Sequence, residues 1–528
     1  MAETNDWITE LDGIEPFPVP VAKSILGRMP PELLQIVTEY LSQRDLPAAA
    51  CISRPLQALA ERCLYNGINI PYDPNVDYPC EEVEEGLGYE IWPLYRTLSA
   101  RSDLAKRVKT LNILIIDRSL GITADSKGVF PGGLLFSSDL DMRLPEATIA
   151  GALLQLLSAV ESLTVHFVEE DGDGDADISS RPTSDCMAKL FPGFNSRTAH
   201  LRSLTAVQKV KELEWNGSEF HWMLARSPHL TVLNLTRSST ILPDEAPNET
   251  NAALEQLRID QSSALLNPAA TQHETLKPFL AHFPGLKQVL LHISDRRHHP
   301  LIVPNEHILT HENQGSFATL LTKLETLAPC LNTLFIMTSR YSNDPHASAW
   351  LNYALPSAGF AHFKSLRYLC VPYQSLFGPV DAQWSHVTPS PAELLPSTLE
   401  HLELAYPRVA VYDWLARFPS FHEKLPALRI VELACSGDYG DAYNEFAFEC
   451  YPHPALAALQ SIDVALKLET PKWQWQKAWD DYDIPLFDKL WWFRSFGSPC
   501  VGMIWPYTFL PSSMRKLTRC RHGSQVQS

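Results

Sequence analysis

The sequence predicts an α/β chain, with a short all-helical unit near the N-terminus followed by an irregular solenoid of strand-bearing repeats. Three observations carry this. Residues 29–70 hold two or three short amphipathic helical patterns, each with its own start signal. One short motif, apolar-x-x-apolar-x-apolar, then recurs between Val108 and Val464. Helical patterns fill several of the gaps between its copies, as in residues 273–283 and 316–328.

The helical unit reads in order. Pro30, Pro31 and Glu32 open a first helix, because proline has no N–H to leave orphaned and a carboxylate suits the positive end of the dipole. Leu33, Leu34, Ile36, Val37, Tyr40 and Leu41 follow at spacings of three and four, giving one apolar face. Asp45 is placed to cap a second helix starting at Leu46-Pro47, and Ser53 a third bearing Leu56, Leu59, Cys63 and Leu64. Pro55 pushes its predecessor out of the α region, which predicts a break at Arg54. So small a unit buries too little surface to stand alone and must dock on something.

The residues Met29, Pro30, Glu32, Leu33, Leu34 and Ile36, then Leu41, Asp45-Leu46 and Ser53-Arg54, resemble the F-box pattern, with Met29 standing for the usual leucine. The resemblance implies an adaptor role. An F-box binds a Skp-type adaptor, which links it to a cullin and a RING subunit of a ubiquitin ligase, while the remaining chain selects a protein target. On that resemblance the adaptor-binding residues are Met29, Pro30, Leu33, Ile36, Leu41, Leu46 and Ile52.

The motif copies begin at Leu230, Leu254, Leu286, Leu331, Leu366, Leu399, Leu428 and Leu459, with weaker ones at Val108, Val160 and Val210. The last three residues of each alternate in-out-in, as a half-buried strand requires. Proline stands two residues ahead at Pro228, Pro284, Pro329 and Pro426, and slightly earlier at Pro396, where it ends a helix and releases extended chain. The pattern resembles the leucine-rich repeat, L-x-x-L-x-L-x-x-N/C. The family's asparagine position holds serine at Ser218, Ser238, Ser262, Ser294, Ser339 and Ser436, whose hydroxyls are expected to bond backbone in the turn. Uneven spacing requires insertions, for example at 117–147, 168–200 and 378–396.

The domain reading is therefore a flexible N-terminal segment over 1–24, an F-box-like unit over 25–70 and a linker over 71–100. The leucine-rich-repeat-like solenoid runs over 101–470, followed by an aromatic cap and basic tail over 471–528. Trp473, Trp475, Trp479, Trp491, Trp492 and Trp505 serve either as that cap or as an anchoring surface for a target.

Composition narrows the function. A net charge of −18 argues against a general nucleic-acid binder. The ten cysteines include no C-x-x-C pair, and no apolar run is long enough to cross a membrane. With no signal-peptide pattern, a cytoplasmic or nuclear protein is expected, and the sequons at Asn216, Asn234 and Asn248 are chance matches. The acidic run 169–177 lacks the glycine and the final glutamate of a calcium loop and reads as solvated. His298-His299 and the pair His307 and His311 lack a third ligand. No nucleophile elbow or phosphate loop occurs, so neither an enzyme nor a cofactor or metal is expected. Target-binding residues, on strand positions facing away from the core, are Arg258, Asp260, Gln288, His292, Phe335, Tyr368, His401, Glu403 and Glu432. The expected function is substrate recognition in a cullin-RING ligase; the alternative is a ligase-independent repeat scaffold.

Overall fold

Alternating apolar residues on consecutive short segments drive the chain to stack strand on strand. A computed structural model describes residues 29–41, 45–70, 91–116, 119–122, 142–168, 190, 209–217, 219–236, 240–242, 250–269, 275–293, 309–338, 349–378, 389–408, 410–434 and 454–469. Its centre is a twelve-stranded sheet whose strands follow one another in chain order, every pairing parallel. The strands are β1 (Gly67–Asn69), β2 (Thr110–Ile116), β3 (Ser162–Val168), β4 (Glu212–Asn216), β5 (Val232–Thr236) and β6 (Gln256–Gln261). They continue as β7 (Gln288–Ile293), β8 (Thr333–Thr338), β9 (Tyr368–Pro372), β10 (His401–Ala405), β11 (Ile430–Ala434) and β12 (Ala465–Glu469). The protein is thus mixed α/β with one large parallel sheet, wound forward one turn per strand.

The register brings like residues of successive motif copies side by side. Leu233, Leu257, Val289, Leu334, Leu369, Leu402 and Val431 form one continuous row, none more than 1% exposed. Full burial of each such side chain is worth about 1.5–3 kcal/mol, which is why the motif repeats leucine and valine there. The residues opening each copy, from Leu230 to Leu428, are buried in the same core, as are Val108, Val160 and Val210 of the weaker copies. Helices lie on this side: α4 (Ile91–Ala100), α5 (Glu146–Leu156), α6 (Leu276–Ala281), α7 (Phe317–Leu324) and α8 (Pro454–Ser461). α1 (Pro31–Tyr40), α2 (Leu46–Ile52) and α3 (Arg54–Asn66) belong to the N-terminal unit. Ser316 caps α7, its hydroxyl accepting from the Ala318 amide at 3.0 Å.

The residue just ahead of each strand forms a second, external ladder. Glu161, Lys211, Thr231, Glu255, Lys287, Asn332, Arg367, Glu400 and Arg429 each donate a backbone N–H to the carbonyl of the equivalent residue one turn earlier. Their charges alternate where they can pair: Glu161 bridges Lys109 at 2.5 Å and Lys211 at 2.7 Å, Lys287 meets Glu255 at 2.5 Å, and Arg367 meets Glu400 at 3.5 Å. At these exposed sites the pairs add little energy, but they disfavour slipped registers.

Several expectations change. The last motif copy does not start at Leu459, which lies buried in α8; the strand begins at Ala465, after Asp463 turns through φ 60°. A helix of eight residues buries Leu459 and Ala455 against the core, and that packing overrides the leucine spacing. Residues 91–100 are not a linker: α4 sinks Ile91, Tyr95 and Leu98 into the main core. Ser262, the described member of the serine series, has a buried hydroxyl with no hydrogen-bond partner, so it does not perform the turn role expected of it. Two short extra pairings, Glu219–His221 with Thr240–Leu242 and Gly315–Ser316 with Ala354–Leu355, are parallel. Within the 117–147 insertion, Ser119–Ile122 pairs antiparallel with Met142–Pro145. Residues 1–24, the acidic run 169–177, the pair His298-His299, His307 and everything from 471 lie outside the described residues.

Candidate protein-binding faces

The first face is built by the N-terminal helices α1 (Pro31–Tyr40), α2 (Leu46–Ile52) and α3 (Arg54–Asn66). Pro30 is the N-cap of α1 and its carbonyl accepts from the Leu33 and Leu34 amides. Only Leu34 and Thr38 of α1 turn inward, and the Thr38 hydroxyl is satisfied by the Leu34 carbonyl at 2.6 Å. A small core of Leu46, Ala49 and Ala60, with Leu41, Ala50, Cys63 and Leu64 against it, holds the helices together. Burial, then the Glu39 carboxylate, push the Cys63 thiol upward, so it stays protonated and acts as an apolar filler. The Ser53 hydroxyl accepts from the Leu56 amide at 3.4 Å, whereas Asp45 gives no side-chain cap to α2. The break comes at Ser53, which is extended, and Arg54 is already helical; Pro55 fits the first turn without disrupting it.

The apolar stripe expected of α1 is therefore split. Leu34 is 4% exposed, while Leu33, Ile36, Val37 and Tyr40 face outward, Ile36 at 48% and Tyr40 at 88%. Ile52 of α2 joins them at 57%. Among the described residues these five are all of the exposed large hydrophobic side chains. Of the residues expected to meet an adaptor, Pro30, Leu33, Ile36 and Ile52 are exposed and Met29 is half-buried. Leu46 is a correction: it is buried in the small core, with half-buried Leu41 packed on it, because α2 must turn Leu46 and Ala49 toward α3. Val37 and Tyr40 belong to the face although only the spacing 33-36-37-40 marked them.

The unit is joined to the sheet rather than hung from it. β1 follows α3 directly and pairs with β2, Ile68 opposite Leu111, while Ile68 and Ile70 enter the main core. Arg101, ahead of the short helix Ser102–Ala105, reaches Glu61 of α3 at 3.4 Å and Asp103 at 2.9 Å.

The second face is the side of the sheet opposite the core. All nine residues expected to contact a target lie on it, but not equally open. Arg258, Phe335 and Glu403 are buried, a correction to their reading as surface groups. Along with Leu290, Met337 and Cys370, which the motif's free positions did not single out, Phe335 forms a separate apolar cluster on this face. Asp260 takes two bonds from Arg258, at 3.1 and 3.2 Å, with His292 at 3.7 Å. Burial would raise the Asp260 carboxyl, but the Arg258 guanidinium and the His292 ring hold it well below the usual carboxylate range.

Across β8 to β11 the face is aromatic and acidic. The rings of Phe335 and Tyr368 lie 4.9 Å apart, and those of Tyr368 and His401 4.5 Å apart. The Tyr368 hydroxyl donates to Glu403, and His401 Nε2 meets Glu432 Oε2 at 3.1 Å. Glu403 and Glu432 are cross-strand partners, a like-charge pairing that favours a cation nearby. Among the described residues no group of three or more His, Cys, Asp or Glu side chains could hold a metal ion, and no helix is long and apolar enough to cross a membrane.

No family model matches the sequence, and no curated protein does. Among solved structures, a Bacteroides fragilis protein is 9% identical, over 60% of this chain and 66% of that one, with a TM-score of 0.27. This chain thus spans just under two thirds of that protein's length, and a likeness so slight carries no argument about fold or function.

Proposed function

We propose that the chain is the substrate-recognition subunit of a cullin-RING ubiquitin ligase, α1 to α3 acting as an F-box that docks a Skp-type adaptor. The leucine-patterned sheet, read as a leucine-rich-repeat solenoid, then holds a protein target. One observation carries the reading: all the exposed large hydrophobic side chains among the described residues gather on α1 and α2, within the segment that resembles the F-box. Apolar side chains left in water on one helical unit are what a partner covers. The subunit itself makes no bonds; it places a target near the transferring enzyme, and its contribution is proximity.

Co-purification with a Skp-type adaptor tests the proposal. Wild-type protein should retain the adaptor through washing, and failure to capture any would end this reading. A second reading, a ligase-independent scaffold, draws on the joining of β1 and α3 to the sheet, since helices so placed also serve as an end cap. A scaffold would lose its fold without residues 1–70 and would capture no adaptor with them.

A further inference from the structure

The register divides the sheet face opposite the core into rows running across the strands. The second row, through Leu290, Phe335, Cys370 and Glu403, is buried. The first row remains half-open: Gln256, Gln288, Thr333, Tyr368 and His401 are in register on β6 to β10, each half-buried. The β11 member of this row is Ile430; Glu432, in the second row between Glu403 and Lys467 of β12, reaches across to His401 at the far end.

Chemistry changes along that row. Gln256, Gln288 and Thr333 are adjacent, and their side chains make no hydrogen bond or ion pair among the described residues. A carboxamide offers both a donor and an acceptor, the same pair that a peptide group presents, so two in register match an extended backbone. Beyond them come the rings of Tyr368 and His401, tilted against each other, and a carboxylate, with Glu403 beneath, an arrangement suited to a cation and hostile to phosphate.

We propose, resting on the reading that this sheet face takes a protein target, that the first row binds an extended peptide segment. Gln256, Gln288 and Thr333 read its backbone, and a lysine or arginine side chain lies against Tyr368, His401 and Glu432. From β6 to β11 the track crosses five strand spacings, roughly 24 Å, which about seven extended residues cover. The site selects one basic residue at the β9–β11 end of a target segment and is tolerant of sequence along the β6–β8 end.

The test uses the full chain and a positional-scanning library of unstructured peptides of about ten residues, read by fluorescence anisotropy. The expected result is enrichment of lysine or arginine at one position. Glu432→Gln should weaken the selected peptide about tenfold and leave its alanine counterpart unchanged. Gln288→Ala should weaken both peptides alike. If Glu432→Gln melts early, salt does the same work on wild type: basic-peptide binding must fall with ionic strength and neutral-peptide binding must not. No peptide bound, no basic residue selected, or equal losses for both peptides with folded Glu432→Gln would overturn the proposal. Adaptor capture on the same preparation reports separately on the ligase reading, which can fail while peptide selection stands.

Discussion

Replacing Ile36 separates a docking face from a structural one. The side chain is 48% exposed, so about half of its burial, roughly 0.7–1.5 kcal/mol, is still available to a partner. Ile36→Ala should therefore weaken adaptor capture about three- to twelvefold. Ile36→Glu should weaken it about 100-fold or more, because a carboxylate would be carried into an apolar contact without a partner. Either change should cost the free protein no more than about 1 kcal/mol, since half of the side chain is already open and alanine and glutamate are better helix formers than isoleucine. Leu34 is the control: it is 4% exposed, and Leu34→Ala should cost about 2–4 kcal/mol and loosen the whole unit. The assay is binding of purified variants to an immobilised Skp-type adaptor, with a thermal melt of each. The reasoning fails if Ile36→Glu binds like wild type, or if it melts as early as Leu34→Ala.

Other positions give independent checks. Gly285 leaves no room for a side chain, because a Cβ there would sit 2.1 Å from the Ala252 carbonyl oxygen; Gly285→Ala should cost about 1–3 kcal/mol in urea unfolding, and a neutral result would mean the turns are not packed as described. Hydrogen bonds from Lys109 and then Lys211 lower the Glu161 carboxyl from 4.5 to about 2. Because the folded value is the depressed one, its contribution is present above pH 4.5 and is lost as pH falls from 4.5 toward 2. Glu161→Gln should flatten the acid limb of a melting-temperature profile at low salt, and parallel profiles for variant and wild type would refute the role of the ladder. Deleting residues 1–70 removes Ile68 and Ile70 from the main core and uncovers the edge of β2, so circular dichroism should show the truncated protein melting earlier; an unchanged melt would mean β1 is dispensable.

Leucine spacing revealed most of the sheet because parallel strands in chain order place equivalent residues of successive segments in contact, and the same contact recurring from strand to strand keeps the same residue types. The copies from Leu230 to Leu428 each lead into a strand two residues later. The pattern failed at Leu459, where helix α8 and a left-handed Asp463 reset the register, because an isolated apolar triplet cannot distinguish a helix from a strand. It also missed β1, whose three residues Gly67–Asn69 are too short for periodicity. On the helical unit, the spacing marked an apolar stripe but could not say which half faces inward; the positions of α2 and α3 decide that.

By itself the sequence determined where apolar residues recur and where proline and serine stop or start helices, and these local choices fix the kind of element and its order. Only the tertiary structure decided exposure. Leu34 and Ile36 are two residues apart and chemically alike, yet the folded unit hides one and leaves the other half in water. Arg258 and Glu403 occupy the same motif position as half-open Glu432, yet lie buried. Alternation assigns a side chain to a face of the sheet, but accessibility depends on what else packs over it, and that is set by residues distant in the chain.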